Sequence, residues 1–509
     1  MLAYQSKFKK NRNFKRKPIK STPERKSLPW TELQNRVFNN VENGDGHTVV
    51  LSGPGSGKTK TLVEGLYHVP KGNSVLCTAF NKSIAQELDK QVPTGITCAT
   101  HHKLGFQCIQ KHWRTTYDIG TYGSVDAKND SLFELATEEV GSDIELNHLR
   151  QMLVKALDLS KITLAESPEK IESVIDHFGI PVCGLEYNEF ANYVWRMMNK
   201  TKDAPRAFRN RNVITFSDMI WLPYVNGWKL DQFDRVFIDE AQDLSPARTE
   251  LLLASVAPGG RICAFGDPKQ AIYNFAGATH KSLEGLIKTL DAKDLPLSVS
   301  YRCARRIIAL AQLINPSVQA APDAEDGTVE HFDADYLYKA VEPGCAVLSR
   351  TNYPLVRACF GMLALGLKAN IQGKDIGERL LWRIDSWGVT DLDGLVKATR
   401  KWCDETCERL EQKKIDTTSC IDEAKCIQIF AKNSANVSEV KENIKKFFSD
   451  NPEQIKLSTA HKAKGLEWDK VFILSKTYHP ERGGEEENIY YVAITRAKSY
   501  LGFMEGKLP

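Results

Sequence analysis

The chain has 509 residues, of which 42% are hydrophobic and 26% are charged; these proportions are ordinary for a soluble globular protein. At roughly 150 residues per domain, this length predicts about three or four domains. The sequence contains no run of about 18 apolar residues and no apolar stretch after its N-terminal charges, which argues against a membrane span and a secretory signal. Its 12 cysteines lack paired spacing, so we expect reduced thiols and a cytoplasmic protein.

The net charge of +4 is unevenly distributed. Ten Lys or Arg and a single acid, Glu24, fall within residues 1–30, so the rest of the chain is acidic overall. Such a composition favours a disordered tail, which we place at residues 1–27. The same positive charge would attract nucleic-acid phosphates regardless of base sequence.

Short apolar runs rich in β-branched residues predict buried strands. The runs lie at residues 48–51, 74–79, 96–100, 235–238, 261–265, 345–349, 455–458 and 470–474. Because helical stretches separate them, we predict parallel α/β sheets.

Two amphipathic helical blocks interrupt this alternation and divide the strands into two groups. We therefore predict two α/β cores, each with one helical insertion. The predicted ranges are 28–105 and 211–280 for the first core, 106–210 for its insertion, 281–370 and 451–509 for the second core, and 371–450 for its insertion.

A glycine-rich segment at residues 52–59 follows the first predicted strand and leads into a predicted helix. This arrangement is typical of a phosphate-binding loop, in which backbone N–H groups and a helix N-terminus face the phosphates. Lys58 would reach the β- and γ-phosphates, and Thr59 would bind Mg²⁺. Ser52 stands where the strict pattern has glycine. The predicted nucleotide contacts in the loop are Gly53, Gly55, Ser56, Gly57, Lys58 and Thr59.

The apolar run at 235–238 delivers two carboxylates, Asp239 and Glu240, at its C-terminal end. We predict that Asp239 holds Mg²⁺ and that Glu240 orients or deprotonates the attacking water. An apolar strand ending in Asp-Glu is common by itself, but its pairing with a phosphate loop is specific.

Further motifs extend this site. The segments DEAQD at 239–243 and GDPKQAIYNFAGA at 266–278 resemble the UvrD/Rep family of superfamily 1 DNA helicases. Segments similar to the other motifs of that family follow at residues 31–34, 79–82, 100–102, 216–219, 301–302, 458–468 and 490–498. The resemblance covers residues 28–105, 213–305, 346–352 and 455–503, and it implies two RecA-like cores with ATP between them.

The resemblance also implies roles around the adenosine. Gln34 would read the adenine, Tyr301 would stack on it, and Glu467 would lie toward the ribose. Lys60 occupies a position where the family commonly has arginine, so we expect a weaker contact there, because lysine lacks the planar fork.

Three residues are implied to act at the γ-phosphate. Arg302 and Arg496 would reach it from the second core, and Gln270 would sense it or the attacking water. Because the γ-phosphate would then touch both cores, its presence would close the cleft and its loss would open it.

The remaining motif positions imply contacts with single-stranded DNA, which binds to stacking surfaces and phosphate donors. The predicted contacts are Phe80, Asn81, Thr100, His102, Tyr273, Phe275, Thr459 and His461.

Four cysteines lie in the second helical block: Cys403, Cys407, Cys420 and Cys426. The first two share a helix face, but the block has no Cys-x₂-Cys pair, so we favour helix packing over a zinc or iron–sulfur site. The block itself, at about 80 residues, is much shorter than the auxiliary domain of the bacterial family members.

We predict an ATP-dependent DNA helicase that moves 3′ to 5′ on single-stranded DNA and acts at junctions with duplex, with ATP and Mg²⁺ as cofactors. Two alternatives are a translocase that displaces proteins with little unwinding, and a nucleotide-dependent binding switch; RNA is a lesser alternative substrate. Compactness and the basic tail suit a bacterial or phage protein.

Overall fold

The structure is a computed structural model that describes residues 29–79, 82–113, 118–119, 128–129, 132–133, 146–183, 185–202, 213–273, 282–411, 417–448 and 454–506. The predicted tail and three predicted DNA contacts, Phe80, Asn81 and Phe275, lie outside these residues. Within these ranges, no helix is both long enough and apolar enough to cross a lipid bilayer.

The strands, numbered along the chain, are Thr48–Ser52 (β1), Val75–Ala79 (β2), Thr97–Thr100 (β3), Asp118–Ile119 (β4), Val213–Ile214 (β5), Phe233–Ile238 (β6), Val256–Gly266 (β7), Lys293–Leu297 (β8), Val299–Ser300 (β9), Gln319–Ala320 (β10), Thr328–Asp333 (β11), Ala346–Ser349 (β12), Ala369–Ile371 (β13), Ile455–Thr459 (β14), Trp468–Leu474 (β15) and Ala497–Glu505 (β16).

The helices are Glu32–Asn43 (α1), Lys58–Tyr67 (α2), Lys82–Gln91 (α3), His101–Trp113 (α4), Leu146–Thr163 (α5), Pro168–His177 (α6), Tyr187–Lys202 (α7), Phe216–Val225 (α8), Pro246–Ala254 (α9), Ser282–Leu290 (α10), Arg305–Gln312 (α11), Leu337–Ala340 (α12), Tyr353–Ala364 (α13), Lys374–Ser386 (α14), Leu392–Glu411 (α15), Thr418–Lys432 (α16), Val437–Phe447 (α17), Ala460–Ala463 (α18) and Gly484–Ile494 (α19).

The first sheet is parallel, with strand order β3-β2-β6-β7-β1-β8. Alternate strand residues enter two apolar clusters: Val49 and Val236 lie in one, Val50 and Phe237 in the other. Because successive side chains of a strand point to opposite faces, both faces of this sheet are covered. β8 pairs with β1, so this sheet extends beyond residue 280, the predicted end of the first core.

The second sheet is also parallel, with strand order β11-β16-β15-β12-β14-β13. Two apolar clusters flank it, with Val347 and Leu457 in one and Leu348 and Ile473 in the other. Two parallel α/β sheets confirm the predicted fold class; the division into domains stays a prediction.

Helices α5 to α7 pack around an apolar cluster that includes Leu157, Ile175 and Phe190. The short strands β4 and β5 pair across the two ends of this block. At the start of α8, buried Asp218 accepts a hydrogen bond of 2.7 Å from Nζ of Lys161 and also pairs with Lys128. This charged cluster joins α8 to α5.

Candidate nucleotide-binding cleft

The phosphate loop connects the end of β1 to the start of α2. Gly55 and Gly57 have φ values of 66° and 75°, a region that favours glycine because other residues meet steric strain there. A Cβ atom on Gly55 would lie only 2.3 Å from Cβ of Arg302. The backbone N–H of Tyr301 donates to the Gly55 carbonyl at 2.9 Å. The loop therefore touches the segment that carries the predicted second-core arginine.

Lys58 is held by the two carboxylates at the end of β6. Its Nζ lies 2.5 Å from Oε1 of Glu240 and 3.4 Å from Oδ1 of Asp239. Burial disfavours the charged ammonium, but the two carboxylates outweigh this effect and raise the pKa of Lys58. The lysine is thus fully charged and close to the loop backbone.

The two carboxylates have different environments although they are adjacent. Burial raises the pKa of Asp239, whereas for Glu240 Lys58 and Lys464 outweigh the effect of burial and lower the pKa. Glu240 has a φ of 54°, a left-handed conformation that is uncommon outside glycine. Gln242 Nε2 donates to its carboxylate. Glu240 is therefore ionised and oriented, as a residue that positions water requires.

The loop also offers hydroxyl groups to a ligand. Among the described residues, the buried hydroxyls of Ser52 and Ser56 have no hydrogen-bond partner, and such groups are costly unless a partner is supplied. Thr59 is exposed to the cleft. Thr59 and Asp239 provide the oxygen ligands that Mg²⁺ prefers. The residues therefore fit a magnesium nucleotide.

Arg302 approaches the loop from the other side of the cleft. Its Nε donates to Oε2 of Glu467 at 2.6 Å, and its Nη1 donates to the Thr495 carbonyl at 3.4 Å. Glu467 also lies 3.2 Å from Nζ of Lys498. The carboxylate predicted to face the ribose is therefore bound to Arg302 in this arrangement.

Arg496 is only 1% exposed. It donates to the carbonyls of Val492 at 2.9 Å and Leu466 at 3.1 Å, and its Nη2 lies 3.4 Å from Oε1 of Gln270. Burial, with Arg302 nearby, lowers its pKa to about 10. The guanidinium thus stays charged at neutral pH and contacts the predicted γ-phosphate sensor directly.

Gln270 lies between Arg496 and Asp267. Its Nε2 donates to Oδ2 of Asp267 at 2.8 Å, and burial raises the pKa of Asp267 to about 6. A side-chain amide held at both ends adopts a defined orientation. Gln270 therefore links Asp267 to Arg496.

Lys464 links the same region to the carboxylate segment. Its Nζ lies 2.8 and 2.7 Å from the two carboxylate oxygens of Asp243 and 2.7 Å from the Gln270 carbonyl. It also lies 4.7 Å from the ring centroid of Tyr273. Burial raises the pKa of Asp243 to about 6, although Lys464 opposes this shift.

These side chains enclose a cavity of about 940 Å³, at the upper end of the usual range for small-molecule sites. Its lining includes Lys58 and Glu240 on one side and Arg302 and Arg496 on the other. The predicted adenosine contacts Gln34, Lys60, Tyr301 and Glu467 line the same cavity.

At the adenosine end, Gln34 is fixed by its neighbours. Thr31 N–H donates to its Oε1 at 3.0 Å, and its Nε2 donates to Thr61 Oγ1 at 3.1 Å. Tyr301 is 51% exposed. The fixed amide of Gln34 suits the predicted reading of adenine, and the exposed ring of Tyr301 suits the predicted stacking on it.

The described candidates for DNA contacts come from both sheets. Thr100 ends β3, and its Oγ1 accepts from Lys103 N–H at 3.2 Å. Burial and the nearby Arg248 lower the pKa of His102 to about 4. Thr459 caps the short helix α18, which contains His461. His461 hydrogen-bonds to the Ile272 backbone, and burial is the main cause that lowers its pKa to about 3.

Sequence reasoning missed two side chains as individual contacts. Lys464 lies in a recognised motif, but its pairing with Asp243 joins positions 221 residues apart. Phe216 is 66% exposed, and its ring packs edge-on against His102 with the centroids 5.3 Å apart. Phe216 also lies in a recognised motif, at residues 216–219, but its exposure is visible only in the structure, because such a ring usually faces the core.

A phosphate loop and an Asp-Glu strand facing two arginines across a cleft define a nucleotide-binding protein with two α/β cores. The model of the UvrD/REP helicase N-terminal domain matches residues 33–291, and that of the UvrD-like helicase C-terminal domain matches residues 393–505. Since the first match covers just over half of the chain, the chain belongs to the UvrD/REP helicase family, which confirms the predicted resemblance.

Three relatives illustrate the similarity. F-box DNA helicase 1 of Gallus gallus is 24% identical over 92% of this chain and 48% of its own length. ATP-dependent DNA helicase Rep of Escherichia coli K12 is 24% identical over 55% of this chain and 43% of its own length. DNA helicase IV of the same bacterium is 24% identical over 58% of this chain and 48% of its own length. The chain thus spans about half the length of these relatives.

Proposed function

We propose that the chain is an ATP-dependent DNA helicase that moves 3′ to 5′ on single-stranded DNA and acts at junctions with duplex. The observation that carries the proposal is the cleft, in which Lys58 and Glu240 face Arg302 and Arg496. Family membership supports the use of ATP and a DNA substrate. The polarity rests on similarity to Rep-type motifs.

In the proposed reaction, the γ-phosphate takes the place of the carboxylates as the partner of Lys58. Thr59 and Asp239 would hold Mg²⁺, which neutralises charge on the β- and γ-phosphates. Glu240 then orients the attacking water, and the arginines stabilise the charge that develops in the transition state.

Coupling to movement follows from the contacts across the cleft. Loss of the γ-phosphate would release Arg302 and Arg496 from the nucleotide, and Gln270 would pass this change to the segment that ends at Tyr273. Because Lys464 holds both Asp243 and the Gln270 carbonyl, it would shift with the same segment. The two predicted cores therefore approach and separate once per hydrolysis.

We place the DNA strand across both sheets, along Thr100 and His102 on one side and Thr459 and His461 on the other. Phe216 adds an exposed ring beside His102 on which a base could stack. The predicted cytoplasmic setting in a bacterium or phage-infected cell stays a prediction, because the relatives also include F-box helicases of eukaryotes.

The decisive experiment measures ATP hydrolysis and strand separation together, with duplexes that carry either a 3′ or a 5′ single-stranded tail. We expect single-stranded DNA to stimulate hydrolysis and only the 3′-tailed duplex to separate. Glu240→Gln should bind ATP but hydrolyse it about 100-fold more slowly. Unwinding of only the 5′-tailed duplex would overturn the proposed polarity. A rate of ATP hydrolysis that single-stranded DNA does not change would favour a nucleotide-dependent binding switch.

A second candidate is a translocase that displaces bound proteins but separates strands poorly. The described part of the second insertion favours it, because residues 374–448 form only the helices α14 to α17. This candidate predicts DNA-stimulated hydrolysis and displacement of a protein block from a tailed duplex without strand separation.

A further inference from the structure

Three thiols meet between the helices α15 and α16. Cys403 and Cys407 lie one turn apart on α15, and Cys420 lies in the first turn of α16. The Sγ–Sγ distances are 3.8 Å for Cys403–Cys407, 3.5 Å for Cys407–Cys420 and 3.9 Å for Cys403–Cys420. We propose that these thiols bind a divalent zinc-like cation that joins the two helices.

The spacing of the sulfur atoms is that of a tetrahedral thiolate site. With a zinc–sulfur distance of about 2.3 Å, two thiolates on one tetrahedral zinc ion lie about 3.8 Å apart. All three distances fall within a few tenths of an ångström of this value. The sulfurs therefore form one triangular face of a coordination tetrahedron, with little rearrangement needed for binding.

Helix packing, the interpretation favoured by the sequence, remains the alternative to a metal site for the three thiols. The apolar cluster beside the second sheet includes Cys359 and Cys426, but none of the three. Cys403 and Cys407 are half-buried, whereas Cys426 is fully buried. Cys420 is buried, so a cation would reach the site from solvent past Cys403 and Cys407, and water could occupy the fourth ligand position.

Three sulfur ligands select a thiophilic ion over Mg²⁺ or Ca²⁺, because hard cations prefer oxygen. Because thiolates rather than thiols bind the cation, binding releases protons. The site is chemically separate from the proposed magnesium site at Thr59 and Asp239.

The proposed cation would stabilise a junction that already has polar contacts. Arg383 on α14 pairs with Glu423 on α16 and stacks on Trp402 of α15, with its Cζ 4.0 Å from the ring centroid. A thiolate site beside these contacts would hold α15 against α16 by a metal bridge. This role is structural and does not depend on the proposed helicase activity.

The first test is cobalt titration of the full chain, reduced and freed of metal. We expect one Co²⁺ per chain, with the intense near-ultraviolet band of thiolate ligation, and displacement of Co²⁺ by stoichiometric Zn²⁺. Cys403→Ser, Cys407→Ser or Cys420→Ser should weaken binding at least tenfold. The matched control, Cys426→Ser on α16, should retain the band. Absence of the band, or its persistence in a triple serine variant, would overturn the proposal.

A second test needs no variant. Alkylation of the native chain with iodoacetamide, read by mass spectrometry, should be slowed at least tenfold by Zn²⁺ at the half-buried Cys403 and Cys407. The half-buried Cys98 and Cys183 serve as internal controls and should react at unchanged rates. Equal alkylation with and without Zn²⁺, or a Cys407–Cys420 disulfide that persists in reductant, would contradict a metal site.

Discussion

The two sides of the cleft hold their cations in different ways. On one side, the partners of Lys58 are Asp239 and Glu240, which follow a strand of the same sheet. On the other side, Arg496 donates to the carbonyl of Val492 in the preceding helix, to that of Leu466, 30 residues earlier, and to Gln270, which follows the first sheet. The ion pairs of Lys58 thus lie within one sheet, whereas Arg496 also contacts a residue that follows the other sheet.

This difference distinguishes nucleotide binding, on the first side, from the coupling of hydrolysis to movement, on the second side, in the proposed function. In the proposed function, a nucleotide replaces the carboxylate partners of Lys58, which lie on the same sheet as the lysine. The proposed response of the second side involves the arginines and ion pairs that cross the cleft, Lys464–Asp243 and Lys269–Glu487, the latter with a distance of 2.9 Å. Loss of Lys58 on the first side should therefore weaken nucleotide binding, whereas changes to the arginines of the second side should spare binding and reduce turnover.

The largest effect is expected for Lys58→Ala, which removes the cation of the first side. ATP turnover should fall about 1,000-fold or more because the phosphates lose their central charge partner. Nucleotide affinity should fall as well, as measured with a fluorescent ATP analogue. The exposed Lys71→Ala serves as the control. Near-normal turnover would show that Lys58 is not the phosphate ligand.

Arg496→Lys tests the second side while keeping the charge. Lysine cannot reproduce the forked contacts with two carbonyls and Gln270, so turnover should fall about 100-fold. Nucleotide affinity should change by only a few-fold, in contrast to Lys58→Ala. The exposed Arg306→Lys is the matched control. An equal loss of affinity in both site variants would remove the distinction between the two sides.

Lys464→Met tests the contact between the sides. Removing one partner of a buried ion pair typically costs about 3 kcal/mol, so the free energy of unfolding should fall by about that amount. The double variant Lys464→Met/Asp243→Asn should recover much of the loss, because no buried charge remains unpaired. Chemical denaturation of the four forms gives the coupling energy, with Lys445→Met as an exposed control. Additive effects would contradict a direct pair.

Local patterns predicted the strands after which the first side of the cleft begins. The loop at 52–59 and the carboxylates Asp239 and Glu240 each follow a strand directly, so their placement depends on a few adjacent residues. The parallel sheets were predictable for the same reason, since strand and helix patterns alternate along the chain.

Contacts between distant segments could not be predicted in this way. The inclusion of β8 in the first sheet, and the pairing of Lys464 with Asp243, depend on how separate elements pack. The thiol cluster has the same character: the spacing of Cys403 and Cys407 is visible in one helix, but Cys420 comes from the next. These contacts depend on which residues are buried together in the folded chain, and a local sequence pattern does not contain that information.

The smallest expected effect is the pH dependence of stability from the histidines on the two sides. Burial lowers the pKa of His102 to about 4 and that of His461 to about 3, below the ordinary 6.5. The folded state therefore favours neutral imidazoles. The contribution of these histidines to the free energy of unfolding is complete above pH 6.5. It is lost as the pH falls toward their pKa values in the folded state, with a slope of at most about 1.4 kcal/mol per pH unit for each group. Denaturant unfolding at pH 7 and pH 5 should show the slope reduced in His461→Gln. An unchanged slope would mean that His461 is accessible to protons, and so that the contact between His461 and the Ile272 backbone opens readily.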